Sequence, residues 1–249
     1  MKKLISLFLA LTLCCMLIPA VSEDVSVDGT WYIAGAKSEG AEFQVVDPEA
    51  ITLTINKDGT FLLNTSSSGM SQEGTWTVAD SVLSLTAEDQ TTEVQINGNM
   101  LEIETGNTMV QLSQTPAEPY QLPVPVVSET ADAFNGTWIP CAQISSGLYS
   151  AMSGETIAQY GKISIDSGKV SVLSDSGNGE YVTAATYEMT FADGILSGED
   201  SSTIPTELSL LLLEDGSLYF ETIVKFSEDV SMMIGVIYIP EADAEVPAA

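Results

Sequence analysis

Asp28-Gly29-Thr30-Trp31 returns 107 residues later as Asn135-Gly136-Thr137-Trp138, and each copy opens a block of short alternating segments punctuated by Gly and Asp. A Trp placed just after a Gly at the head of a first strand supplies what a small meander barrel needs, a large apolar plug for one open end. This reading makes Trp31 and Trp138 barrel-closing structural residues, one per barrel.

Outward from the first copy, apolar residues recur with period two at Ile51, Leu53, Ile55, at Leu83, Leu85, at Val94, Ile96, at Leu101, Ile103 and at Val110, Leu112. Thr, Ser, Glu and Gln stand between them, so each segment buries one face and wets the other. Lys57-Asp58-Gly59-Thr60, Ala79-Asp80-Ser81 and Asn97-Gly98-Asn99 are tight turns of the kind that joins antiparallel neighbours. Eight strands are expected, at 29–36, 50–56, 60–65, 73–78, 82–87, 91–96, 100–105 and 108–113. Consecutive hairpins of this kind close on themselves, because closure removes exposed edges.

The block at 134–240 repeats the plan. Leu148-Tyr149-Ser150-Ala151-Met152 reads as a short helix that caps a barrel mouth, and strands are expected at 162–166, 169–174, 181–191, 195–198, 206–213, 217–224 and 230–239. Leu208–Leu213 and Met232–Ile239 are apolar on both faces, so something must cover their outer side, an intramolecular element first of all. Residues 115–133 hold Pro116, Pro119, Pro123 and Pro125 and read as a semi-rigid linker whose Pro123–Val127 run can lie along a sheet edge. The domain plan is therefore a signal peptide at 1–22, a barrel at 28–114, the linker at 115–133, a second barrel at 134–240 and a disordered acidic tail at 241–249.

The signal peptide reading rests on Lys2 and Lys3, the apolar run Leu4–Ile18 and the small-residue exit Pro19-Ala20-Val21-Ser22. Export to the medium or the cell surface follows. Cys14 and Cys15 stand where a lipidated cysteine would, but Leu13 is not the small residue such cleavage wants, so a lipid anchor is not favoured. No other apolar run reaches the ~18 residues of a spanning helix, so the mature chain has no transmembrane span. Removal of the signal leaves Cys141 without an intrachain partner, as a small buried hydrophobe.

The 249 residues carry 35 Asp plus Glu against 7 Lys, a formal net charge of -28. Such a surface repels phosphate, which excludes nucleic acid as a partner. With no His and no Arg, no histidine triad, imidazole metal cage or guanidinium clamp can form, and no cofactor or metal site is expected. Asp166-Ser167-Gly168 and Asp175-Ser176-Gly177 spell the word found in aspartic protease dyads, but they bracket one short strand and read as turns. Asp175–Glu180 lacks the spacing and the distal bidentate Glu of a Ca²⁺ loop.

The Gly-Thr-Trp opening, the Leu53-Thr54-Ile55 strand with Asp58-Gly59-Thr60-Phe61, and the second Gly74-Thr75-Trp76 followed by Leu83-Ser84-Leu85-Thr86 resemble the small lipocalin-like domains of exported bacterial proteins. The resemblance covers 28–114 well and 134–240 more loosely. It implies a calycin-type fold: all-β, two tandem up-and-down antiparallel β-barrels of about eight strands each, with a short helix in the second. It also implies a ligand site inside a barrel. The chain departs from the family in having no Arg to pair with the closing Trp.

The first barrel is expected to be filled by its own aliphatics. The second is the candidate for a cavity, walled by Leu148, Tyr149, Met152, Tyr187, Met189, Phe191, Phe220, Met232, Ile234 and Tyr238. The leading expectation is a non-enzymatic binding protein for a small hydrophobic molecule. The alternative is a surface module with filled barrels that engages a protein or glycan partner, and a carboxylate hydrolase stands third.

Overall fold

A computed structural model describes residues 26–38, 41–66, 68–153, 157, 160–178, 180–200, 204–227 and 230–243. The expected signal peptide and residues 244–249 of the tail lie outside the described residues, while Glu241–Asp243 form a 3-10 turn.

The period-two pattern forms strands β1 (Gly29–Ser38), β2 (Ala41–Val45), β3 (Ile51–Ile55), β4 (Thr60–Thr65), β5 (Met70–Ala79), β6 (Val82–Ala87), β7 (Gln90–Asn97), β8 (Met100–Thr105) and β9 (Thr108–Ser113). Antiparallel ladders run from β1 to β3 and on through β9, and β9 returns to β1, so eight strands close a barrel. Trp31, Ile33, Leu53, Ile55, Leu83, Val94, Leu101 and Leu112 fill it, none more than 2% exposed. Gly74 sits where β5 passes from β4 to β6, and a Cβ there would stand 2.2 Å from the Thr86 carbonyl oxygen. Only glycine lets the strand turn so close to its neighbour.

After β10 (Pro125–Val126) the second unit comprises β11 (Gly136–Ser145), β12 (Leu148–Ala151), β13 (Lys162–Asp166), β14 (Lys169–Asp175), β15 (Tyr181–Glu188), β16 (Thr190–Ala192), β17 (Ile195–Asp200), β18 (Thr206–Leu213), β19 (Leu218–Lys225) and β20 (Ser231–Pro240). The fold is all-β, two antiparallel barrels, the second nearly closed: β15 pairs with β14 and β16 with β17, but among the described residues no ladder joins β15 to β17. The two units share details. Each first strand carries a bulge, at Ile33/Gly35 and at Pro140/Ala142, and these too are 107 residues apart.

One expected element is overturned. Residues 148–151 are a strand rather than a helix, and helical backbone comes later, at Ile157 and Tyr160. Ser146 (φ 50°) and Gly147 (φ 76°) make the tight turn that folds β12 back on β11, and buried, half-buried, buried, exposed along Leu148–Ala151 is a strand's alternation. The free edge of β12 then pairs with β2, Leu148 opposite Val45 and Ser150 opposite Phe43, so the corresponding strands of the two barrels bind one another.

That pairing brings the outer face of the second barrel against the first. Ala142, Ile144 and Ile237 are buried there with Val46, Leu122, Tyr149 and Tyr219, and the Tyr219 ring lies where Gly235 has no side chain. β10 pairs with Leu212 and Leu213 at the end of β18. Of the runs apolar on both faces, Ile237 is thus covered on its outer side from within the chain, and the end of β18 is paired by the linker.

Candidate functional site

In an up-and-down barrel every second residue faces inward. At the end of the second barrel marked by Trp138 these positions are closed: Trp138, Ile163, Ile165, Val170, Leu196, Leu210, Leu218, Phe220 and Tyr238 form one buried cluster. The Trp138 Nε1–H donates to the Phe134 carbonyl at 3.0 Å, as Trp31 Nε1–H does to Val27 at 2.8 Å, so neither indole nitrogen is stranded.

Toward the other end the same inward rows loosen. Val172, Tyr187 and Ile234 are half-buried against the cluster. Beyond them Val182 (52% exposed) and Met232 (37%) hold inward register positions of β15 and β20. Ile204 (41%) and Phe226 (56%), just outside β18 and β19, are also exposed. Apolar side chains therefore run from a dry floor toward an exposed lip, interrupted on the same inward rows by Ser174, Thr206, Thr222 and Asp200. The corresponding inward positions of the first barrel are Thr65, Thr92, Thr105 and Thr108, with Met70 (53%) opposite Thr65.

The residues expected to wall a cavity divide into three groups. Met152, Met189, Phe220 and Tyr238 belong to the buried cluster, with Tyr187, Phe191 and Ile234 packed on it and Met232 at the lip. Leu148 is not among them: it enters the core of the first barrel. Tyr149 lies between the barrels, its ring 5.0 Å from that of Tyr120. The helical lid expected at 148–152 is not formed; farther along, Ile157 and Tyr160 pack on the cluster, and the Tyr160 hydroxyl donates to Gln143 Oε1. Val182, Ile204 and Phe226 escaped the sequence reading. Ile204 and Phe226 stand outside the strands, where no alternation assigns a face.

Burial raises the phenol pKa of Tyr160 and of Tyr187, the latter also through the charge of Asp200. Tyr238 is raised further, by burial and then by Tyr160. All three hydroxyls stay protonated at neutral pH and act as neutral hydrogen-bonding groups at the edge of an apolar space.

Two open clefts lie elsewhere. One of about 440 Å³ runs over the outer face of β16–β19 between Ser197, Glu199, Glu207, Ser209 and Glu221. Another of about 840 Å³ surrounds the β8–β9 turn with Lys37, Glu104 and Asn107. Neither is lined by any expected ligand residue. Among the described residues no cluster of three His, Cys, Asp or Glu could hold a metal, and no helix is long and apolar enough to cross a membrane. Asp166-Ser167-Gly168 and Asp175-Ser176-Gly177 occupy opposite ends of β14, as turns.

Residues 27–110 match a family model described as a lipocalin-like domain, which spans most of the first barrel. No curated protein matches. Among solved structures the chain is similar to the Cpx pathway activator NlpE from Escherichia coli, at 14% identity over 86% of this chain and 92% of that one, with a TM-score of 0.23. It is also similar to a protein of unknown function of the DUF3598 family from Nostoc punctiforme, at 13% identity over 86% of this chain and 96% of that one, with a TM-score of 0.24. At these TM-scores the two likenesses carry no argument about ligand or activity.

Proposed function

We propose, from the premise that residues 27–110 are a lipocalin-like domain, that the chain is an exported, non-enzymatic binding protein that takes a small hydrophobic molecule into the open end of its second barrel. The observation that carries this is the set of apolar side chains on the inward rows of the second barrel, from the buried cluster through Val172, Tyr187 and Ile234 to the exposed Val182 and Met232, with Ser174, Thr206 and Thr222 among them. An apolar guest covering these exposed side chains is stabilised by the area removed from water. The first barrel, with its threonine rim, serves as the partner that holds the second in place.

The competing reading, a surface module engaging a protein or glycan, drew its motive from the strands apolar on both faces. On the outer side of those runs Ile237 is buried with Leu122, Val46 and Tyr149, which weakens that motive. Titration with the uncharged fluorescent probe N-phenyl-1-naphthylamine tests the proposal. Saturable one-to-one enhancement, weakened in Met232→Asp and unchanged in a threonine-rim variant such as Thr105→Asp, supports it. No saturable enhancement, or equal loss in both variants, sinks it.

A further inference from the structure

Of the eight tyrosines in the chain, Tyr120 and Tyr149 meet ring to ring, their centroids 5.0 Å apart and their planes inclined by 41°. Backbone bonds set each ring in place. The Tyr120 N–H donates to the Val45 carbonyl at 2.6 Å, which fixes the linker on the end of β2. Tyr149 lies within β12, opposite Ile144 of β11 on one side and Gln44 of β2 on the other. Tyr120 is 38% exposed, so a reagent in solution reaches it at the seam between the barrels, and Tyr149 is half-buried beside it. The other ring contacts among the described residues, Phe134 with Phe191 and Phe220 with Tyr238, each include a phenylalanine, which has no phenol to oxidise.

We infer that Tyr120 and Tyr149 form a site of oxidative cross-linking, at which a one-electron oxidant such as the ferryl haem of a peroxidase joins the two rings as a dityrosine and makes the contact between the barrels covalent. The inference stands apart from the proposed ligand. The oxidant takes one electron from each phenol, and each phenol releases its proton to water. The two phenoxyl radicals then form a bond between ring carbons ortho to their oxygens, and the hydrogen on each of those carbons moves to the oxygen, which restores both phenols. Hydrogen peroxide, consumed through the haem, accepts the two electrons and two protons and leaves as two waters. The ring contact supplies the encounter of the two radicals, which in solution depends on diffusion. A second copy competes poorly for either radical, because chains of formal charge -28 repel one another. Cys141 shares the seam, but burial and then the charge of Asp215 push its pKa up to about 11, so at neutral pH it is a thiol and not the readily oxidised thiolate. Since Tyr120 is held on β2 and Tyr149 belongs to β12, the new bond crosses the seam beside the ladder that joins the barrels.

Oxidation of the full chain at neutral pH by a haem peroxidase with limiting hydrogen peroxide tests this, read by the blue emission of dityrosine and by mass spectrometry of the digested product, with N-acetyltyrosine as the control that the oxidant is active. The expected product joins the peptides of Tyr120 and Tyr149 with the loss of two hydrogens, in a yield independent of protein concentration. Tyr120→Phe and Tyr149→Phe keep both rings and remove one hydroxyl, and each should lower the emission at least about tenfold, as should unfolding in urea. Tyr181→Phe, at a comparably exposed position (41%), should leave it within about twofold. Equal yields in Tyr120→Phe and Tyr181→Phe overturn the inference, as does a yield that rises with protein concentration. A product joining any other pair, a Cys141–Tyr149 thioether included, also overturns it. So does the absence of dityrosine in the folded chain where N-acetyltyrosine couples.

Discussion

Cys141 lies half-buried between the barrels, beside Ala142, Ile144 and Tyr149. Burial, and then the charge of Asp215, pushes its thiol pKa up from 9.0 to about 11. The sign of the consequence follows from proton counting. Above pH 9 the unfolded chain loses the thiol proton while the folded chain keeps it, so stability present below pH 9 is lost progressively as pH rises toward 11. Urea midpoints should therefore decline from pH 9 to pH 11, and Cys141→Ala should flatten part of that decline. At pH 8 the folded thiol should react with a disulfide reagent far more slowly than the urea-unfolded one, because little thiolate is present. At this scale the sequence was legible where chemistry is local. Trp31 and Trp138 announce a buried indole from the Gly-Thr-Trp words alone, and the structure places each in its own core. Ile204 and Phe226 were illegible, because a loop residue acquires a face only once its neighbouring strands have set their register.

Leu148 shows the corresponding limit for an element. Leu148, Tyr149 and Met152 fit a helical face as well as a strand, and five residues are too few for periodicity to decide. What decides is outside the segment: the Ser146-Gly147 turn and the waiting edge of β2. A Cβ on Gly147 would stand 2.3 Å from that of Ala50 in the first barrel, so the turn is fitted to its neighbour as well as to its own strand. Strand β2 was itself missed, since Ala41–Val45 has no turn signature of its own and gains its partners at β1 and β12. A consequence is that a residue of the second unit holds the first together. Leu148 is 8% exposed within the first core. Leu148→Ala should cost about 2–4 kcal/mol by the loss of buried methyl groups and the cavity left behind. In a Trp138→Phe background, where Trp31 and Trp76 report the first barrel alone, the fluorescence midpoint in urea should fall accordingly. An unchanged midpoint would mean that the first barrel is stable without β12.

For the whole molecule the dominant long-range force is self-repulsion. Residues with carboxylates outnumber the lysines five to one, and the formal charge is -28. Among the described residues four ion pairs form, Lys37–Glu102, Lys57–Asp28, Lys162–Glu241 and Lys225–Glu207, and each leaves at least one partner well exposed. Salt acts on both effects in opposite directions. It weakens four exposed pairs worth about 0–1 kcal/mol each, and it screens a much larger number of repulsions that act over more than ~10 Å at low ionic strength. The second effect is the larger because the unpaired acids far outnumber the pairs, and because the two barrels hold that charge close together through β2 and β12. Raising NaCl from 10 to 300 mM should therefore raise Tm by about 3–6 °C, the equivalent of ~1–2 kcal/mol in a chain of this size. Sodium perchlorate at the same concentrations should act alike, since screening depends on ionic strength and not on the anion. A Tm that stays flat or falls in NaCl would show that the acids are arranged in compensated clusters.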